Sequence, residues 1–93
     1  DALGAVVARH PQVERIICGH LHRPVHLRWH GTVVCTAPSP GFQVVLNLGK
    51  ESPAEWIREP PACCLHLWRP ETGLVTHISY IGDYGGPQPF PWT

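Results

Sequence analysis

The sequence predicts an α+β fold in which one helix-strand unit is followed mostly by antiparallel β-hairpins. Good helix formers in residues 2–10 stop at Pro11, which cannot continue a helix. The short β-branched run 13–18 follows at once and is typical of a buried strand. Further along, two pairs of apolar runs flank short turn signals, a pattern typical of hairpins.

The first half of the chain contains the helix-strand unit and the first hairpin. Gly19 ends the strand at 13–18. Residues 25–29 and 32–37 then flank His30-Gly31, a turn signal that predicts a hairpin. The breaker cluster at 38–41 separates this hairpin from a further strand, which we predict over residues 42–48.

The second half begins with a polar, proline-interrupted loop at 50–61. Within it, residues 54–58 could form one helical turn after Ser52-Pro53, since serine caps helices and proline suits the first helical position. Residues 63–69 and 74–81 predict a second hairpin around a proline-glycine turn. The tail, 82–93, holds three prolines and three glycines and should lack regular structure.

Composition restricts the classes of function. The 93 residues carry seven Lys plus Arg against seven Asp plus Glu, so no basic surface predicts a nucleic acid or membrane partner. No apolar stretch approaches the roughly 20 residues that a membrane helix needs, and the sequence contains no signal-peptide pattern. We expect a soluble, cytoplasmic chain. Because it begins at Asp1 in an apolar stretch, we also expect a truncated one.

The four cysteines do not predict a disulfide framework. Cys63 and Cys64 are adjacent, while Cys18 and Cys35 lie in apolar runs. We expect buried free thiols that behave as small hydrophobic side chains, which is consistent with a reducing compartment.

The segment 16–24, Ile-Ile-Cys-Gly-His-Leu-His-Arg-Pro, carries the strongest functional signal. If it is extended, His20 and His22 project to the same side and can reach one metal ion or two neighbouring ions. Cys18 has the same parity and could be a third ligand, although Gly19 makes strict extension doubtful and favours a thiol at the strand end. Two histidines alone cannot hold a pair of ions.

Residues 13–24 resemble the last metal-binding motif of the calcineurin-like metallophosphoesterases, Gly-His-x-His at the end of a strand. Later segments resemble the class III cyclic nucleotide phosphodiesterase branch of that family, namely residues 31–33, 36–39, 43–44, 60–61, 65–68 and 72–77. The resemblance implies the C-terminal portion of a four-layer αββα sandwich. Residues 1–49 would be the C-terminal part of the metallophosphoesterase domain, including the motif. Residues 50–93 would be a C-terminal loop, β-hairpin and Pro/Gly-rich tail.

The resemblance also implies a site with two divalent metal ions, Fe, Mn or Zn. His22 would ligate the first ion and His20 the second, while Gly19 would keep the backbone tight. Arg23 could contact a substrate phosphate, with a solvated loop arginine as the alternative. None of the family's earlier motifs, Asp-x-His, Gly-Asp and Gly-Asn-His, precedes Gly19 in this sequence, and the histidine that aids the leaving oxygen belongs to the last of them. We therefore expect no catalytic residue in this chain, no tightly bound metal and no activity alone.

The implied full-length enzyme is a hydrolase of 3',5'-cyclic nucleotides such as cAMP, or of small phosphodiesters. Two alternatives remain open, a noncatalytic β-rich oligomerisation module and a small stand-alone zinc-binding domain. Uncovered strand edges and apolar faces predict self-association into a homo-oligomer. Of the other histidines, His26 and His30 could line the site but are more simply exposed strand residues, and His66 and His77 suggest cross-strand pairs.

Overall fold

Residues 1–92, which the computed structural model describes, form one α-helix and seven β-strands. In chain order they are α1 (Ala2–Ala8), β1 (Arg15–Cys18), β2 (Val25–Trp29), β3 (Thr32–Thr36), β4 (Gln43–Val44), β5 (Trp56–Ile57), β6 (Ala62–Arg69) and β7 (Gly73–Tyr80). The predicted α+β class agrees with this arrangement. The four-layer sandwich is not tested by it.

The first sheet has the strand order β1-β3-β2. Strand β1 runs parallel to β3, and β2 runs antiparallel to β3, as the predicted change from a helix-strand unit to a hairpin requires. The turn between β2 and β3 has φ values of 46° at His30 and 83° at Gly31. Positive φ at both central residues is the mark of a type I′ hairpin turn. The first predicted hairpin is confirmed.

Helix α1 begins at a side-chain cap. The backbone amide of Gly4 donates to Asp1 Oδ1 at 2.6 Å, which satisfies one of the free amides of the first turn. The helix ends at Ala8, two residues before the predicted end. A Cβ added at Gly4 would overlap the His30 ring, so glycine lets the helix approach the hairpin turn.

In the middle of the chain, one prediction is confirmed only in part and another is wrong. The strand predicted over residues 42–48 is reduced to β4, because an Asx turn, with Gly49 N donating to Asn47 Oδ1 at 3.0 Å, follows it. The helical turn predicted over residues 54–58 is instead β5, which pairs antiparallel with β4. Pairing with β4 satisfies backbone groups that one isolated helical turn would leave free, and Trp-Ile favours a strand.

The second predicted hairpin is confirmed as β6 and β7, which pair from Ala62↔Tyr80 to Arg69↔Gly73. Glu14, which lies just before β1, binds the turn end of this hairpin. Glu14 Oε2 accepts from Trp68 Nε1 at 2.8 Å, and Oε1 accepts from the Leu74 amide at 3.2 Å. These bonds join the hairpin to the start of β1.

A second polar contact joins β1 to the same hairpin. Arg15 donates to the Thr76 hydroxyl, and that hydroxyl is 2.8 Å from His66 Nδ1. His66 and Thr76 are direct cross-strand partners, so the cross-strand pairing expected for His66 is confirmed. His77 lies opposite Leu65.

Gly73→Ala should open the turn end of the second hairpin. Gly73 has a φ of +70°, and an added Cβ would occupy the position of the Glu14 carboxylate. We expect a cost of about 1–2 kcal/mol and a roughly 10-fold loss of hydrogen-exchange protection at the Leu74 amide and the Trp68 indole N–H. Gly31→Ala is the matched control, since Gly31 has a φ of +83° but no atom within 4 Å of the added Cβ. Equal loss of protection at these two protons in both variants would contradict the role of Glu14.

The structure is open and has little core. Among the described residues only Cys35 and Ala62 are buried hydrophobic side chains, with 3% and 1% exposure. The radius of gyration is 16.9 Å, against about 12 Å for a compact chain of this length. No helix within residues 1–92 has the length and apolar character needed to cross a membrane.

Candidate metal centre

The two candidate imidazoles lie on the loop that directly follows β1. The segment is not extended, contrary to the assumption that placed them on one side of a strand. The backbone bends so that the Leu21 amide donates to the Gly19 carbonyl at 3.0 Å, and φ is 76° at His20 and 51° at His22. Positive φ is uncommon outside glycine, although histidine tolerates it better than most residues.

The bent loop nevertheless brings both imidazoles to one cleft. The cleft has a volume of about 200 Å³ and is lined by Gly19, His20, His22, Ala37, Pro38, Ser39 and Pro40. The loop between β3 and β4 therefore supplies the rest of the cleft lining. Two left-handed residues, His20 and His22 on either side of Leu21, are local strain of the kind that concentrates at functional sites.

His22 is held in one orientation by β4 and the residue before it. Its Nδ1 is 3.0 Å from the Phe42 carbonyl. Because a carbonyl oxygen can only accept, Nδ1 carries the proton, and Nε2 is the ligand atom of the neutral ring. The Val44 amide donates to the His22 carbonyl at 3.1 Å, and the His22 and Phe42 ring centres are 4.7 Å apart. Metal-bound histidines usually show this carbonyl contact at the second nitrogen.

His20 and Gly19 border open space. The His20 side chain is exposed and forms no hydrogen bond to any residue of the described range 1–92. A Cβ added at Gly19 would meet no atom within 4 Å. No contact within this range therefore requires the tight backbone expected at Gly19, and the cleft is open on this side.

The Arg23 side chain is half-buried and lines a cavity other than the imidazole cleft. Its Nε donates to the Val44 carbonyl at 2.7 Å, and a terminal nitrogen pairs with the Glu59 carboxylate. The side chains of Arg23 and Glu59 are 21% and 42% exposed. Sequence reasoning missed Glu59, since no local pattern marks a partner 36 residues away.

The Arg23-Glu59 pair belongs to a separate cavity of about 240 Å³. Its lining residues are Arg23, Pro24, Pro38, Gln43, Glu59, Pro60, Ala62, Ile78 and Tyr80. Pro38 is common to this cavity and the imidazole cleft, so it forms the wall between them.

Cys18 does not join the histidines. It lines a third, apolar cavity of about 270 Å³, together with Leu3, Ile16, Leu27, Trp29 and Val34. Within residues 1–92, no three His, Cys, Asp or Glu side chains are grouped so that they could hold a metal ion. The three-ligand zinc site that was left open is therefore not formed in this structure. His26 and His30 also lie outside the lining of the imidazole cleft.

The four cysteines are free thiols. Cys35 is buried and Cys64 half-buried, but Cys18 and Cys63 are exposed, so the expectation of burial is wrong for the last two. Burial raises the pKa of the Cys64 thiol, and the neighbouring Cys35 and Cys63 raise it further. This side chain should stay protonated and unreactive near neutral pH.

Comparison with known proteins gives a match over almost the whole chain. The chain is 44% identical over 90 residues to a protein of Arcobacter nitrofigilis described as a probable glycerophosphodiester phosphodiesterase, GpdQ. The resemblance to the calcineurin-like metallophosphoesterases is confirmed. The match covers 97% of this chain and 33% of the relative, so the chain spans about a third of the relative's length. No protein-family model matches the chain.

Proposed function

We propose that this chain is the C-terminal part of a dinuclear-metal phosphodiesterase, with His22 as a ligand of the first ion and His20 as a ligand of the second. The observation that supports this proposal most directly is the hydrogen bond from His22 Nδ1 to the Phe42 carbonyl. This bond leaves Nε2 as the ligand atom of His22, in a cleft that His20 also lines. The likeness to a phosphodiesterase supports the same assignment.

The residues present fit part of such a site. Imidazole suits Fe, Mn and Zn, but catalytic zinc sites use about three protein ligands for each ion. The remaining ligands would come from polypeptide outside this chain, as would any catalytic residue. Bound divalent ions would stabilise the charge that develops on the phosphoryl oxygens. This chain's own contribution is to hold the His22 imidazole in one orientation, in a cleft that His20 and residues 37–40 also line.

The proposed substrate is a small phosphodiester. A glycerophosphodiester is suggested by the relative's description, and a 3',5'-cyclic nucleotide such as cAMP by the branch that the sequence resembles. Neither nucleic acid nor a membrane is a proposed partner. The chain alone is proposed to be inactive. Its free thiols favour a reducing compartment such as the cytoplasm.

The architecture of the whole enzyme is also a proposal. A parallel pair such as β1 and β3 is usually covered on both faces, which suits the interior of a four-layer αββα sandwich. Residues 1–49 would complete the metallophosphoesterase domain. Residues 50–93 would follow as the loop, hairpin and tail, joined to it by the β4-β5 pairing.

Metal removal tests the proposal in the full-length polypeptide that contains this chain. Exhaustive chelation should abolish hydrolysis of a glycerophosphodiester and of cAMP. Addition of Mn²⁺ or Zn²⁺ should restore hydrolysis of whichever of the two substrates the enzyme prefers. Bound metal before and after chelation is measured by elemental analysis, and product by phosphate-ester chromatography. Full activity of the metal-free protein would contradict the proposal, as would the absence of both activities in protein shown to contain metal.

A second function, as a noncatalytic oligomerisation module, is favoured by the outer face of the β6-β7 hairpin. Leu65, Leu67 and Val75 share this face and are 60%, 44% and 37% exposed. Exposed apolar patches commonly mark subunit contacts. The two functions are compatible, since the hairpin and the imidazole cleft are separate. Sedimentation of the full-length protein with Leu65→Ser and Leu67→Ser together should show a smaller assembly if this face joins copies.

A further inference from the structure

We infer that Arg23 and Glu59 are positioning residues for the His22 imidazole, and this inference rests on the proposed function. The sequence alone suggested that Arg23 meets a substrate phosphate. Its observed contacts instead connect the histidine loop to two other segments of the chain. The ion pair would hold the loop in the conformation that presents Nε2 of His22.

The first step is the connection from Arg23 to His22 through β4. Val44 donates its amide to the His22 carbonyl at 3.1 Å and accepts from Arg23 Nε at 2.7 Å. These two bonds align the motif loop with β4. The same alignment brings the Phe42 carbonyl to His22 Nδ1. A shift of the loop along β4 would therefore break the contact that fixes the imidazole.

The second step is the anchoring of the pair. β4 is itself fixed, because Gln43 is buried and binds the backbone amide and carbonyl of Ser39 at 2.9 and 2.7 Å. Glu59 lies between β5 and β6, and its carboxylate holds the other end of the Arg23 guanidinium. Arg23 thus bridges two fixed segments, and its planar fork suits two simultaneous acceptors.

The third step concerns strain. His20 and His22 have positive φ, which persists only where surrounding contacts enforce it. Arg23 follows His22 directly and supplies two of the contacts that could do so. Without them the loop is free to relax to ordinary φ values, and the imidazole would lose its preset orientation.

The location of Arg23 separates this role from substrate binding. Its guanidinium lines the cavity that contains Glu59 and Tyr80, on the other side of Pro38 from the imidazole cleft. Its charge is already paired with a carboxylate. A phosphate held at the two imidazoles would meet Arg23 only if the ion pair opened.

The test compares Arg23→Gln, Glu59→Gln and the double variant in the full-length protein. Mn²⁺ affinity is measured by calorimetry, and the tautomer of His22 by ¹⁵N NMR of the imidazole. Each single variant should bind Mn²⁺ about 10-fold more weakly, within the 10–100-fold typical of groups that orient a ligand. The double variant should bind Mn²⁺ no more weakly than either single variant, because each single substitution already breaks the same ion pair. KM at saturating Mn²⁺ should not change.

Glu55→Gln is the matched control, since Glu55 is exposed on the other side of β5 from Glu59 and its carboxylate forms no hydrogen bond within residues 1–92. An unchanged Mn²⁺ affinity in Glu59→Gln, or a KM that rises only in Arg23→Gln, would overturn the inference and favour substrate binding. The variants His20→Asn and His22→Asn distinguish failure of this inference from failure of the proposed function. If those variants lose metal while the Glu59 variant does not, only the inference fails. If they bind Mn²⁺ normally, the proposed function fails.

Discussion

Replacing His22 by asparagine in the full-length protein should weaken binding of the first metal ion by about 100-fold or more, with a matching loss of phosphodiester hydrolysis. Changes in groups that merely orient a metal ligand cost 10–100-fold, and loss of the ligand should cost at least the upper end of that range. Asparagine is chosen because it tolerates the left-handed conformation that His22 adopts at a φ of 51°. The effect should therefore report the lost imidazole rather than backbone strain.

The matched controls are His20→Asn and His26→Asn. His20 also has positive φ and lines the same cleft, so its variant should lose the second ion and retain the first. His26 is exposed on β2, outside the cleft lining, and its variant should bind both ions normally. Stoichiometry and affinity are measured by elemental analysis and calorimetry. Normal occupancy of both ions in His22→Asn would exclude His22 as a ligand.

The hairpins could be predicted from sequence because their signals are local. His30-Gly31 supplies the two positive φ values that a type I′ turn demands, and the alternating runs beside it fix which strands pair. The second hairpin follows equally from a proline-glycine turn between two β-rich segments. The candidate ligands also came from a local motif, and their assignment stays a prediction. The similarity of the chain to a phosphodiesterase extends over 90 residues.

The failures of prediction have a common physical origin in contacts between distant segments. Residues 54–58 carry helix-start signals, but pairing with β4 selects a strand there. The positive φ values of the histidine loop accompany bonds to residues about 20 positions away, such as His22 to Phe42. The Arg23-Glu59 and Glu14-Trp68 contacts span still longer separations. No local pattern encodes such pairs, so the motif could nominate His20 and His22 as candidate ligands but could not predict their conformation.

Expressed alone, this chain should not unfold as a cooperative monomer and should associate with itself. Large apolar side chains in every part of the structure are exposed, among them Leu48 at 91%, Leu46 at 65% and Leu27 at 57%. A chain of this size is marginal even when it builds a complete core, and here only two hydrophobic residues of the described range are buried. The entropy cost of ordering the chain is therefore not offset by burial.

Thermal denaturation followed by circular dichroism should give a broad, non-sigmoidal change, and light scattering should show assemblies that grow with concentration. A dye that binds exposed apolar surface should fluoresce strongly. A monodisperse monomer with a sharp melting transition would contradict the prediction. A discrete dimer with cooperative unfolding would instead favour the oligomerisation module.

Adding the remainder of the full-length polypeptide should restore cooperative folding, because we expect it to cover the exposed surface of β1. The outer face of the β6-β7 hairpin is a second exposed surface, which we expect to take part in self-association instead. Strand β1 is at the edge of its sheet, and Ile17 within it is 53% exposed, although parallel pairs are normally covered on both faces. Leu65 lies instead on the outer face of the hairpin. In Ile17→Ser, recovery of the cooperative transition should therefore need an about 10-fold higher concentration of added polypeptide. This is the loss expected for one half-covered isoleucine. Leu65→Ser should leave that recovery unchanged and reduce self-association only. Equal effects of the two substitutions on recovery would mean that one continuous surface, rather than two, needs covering.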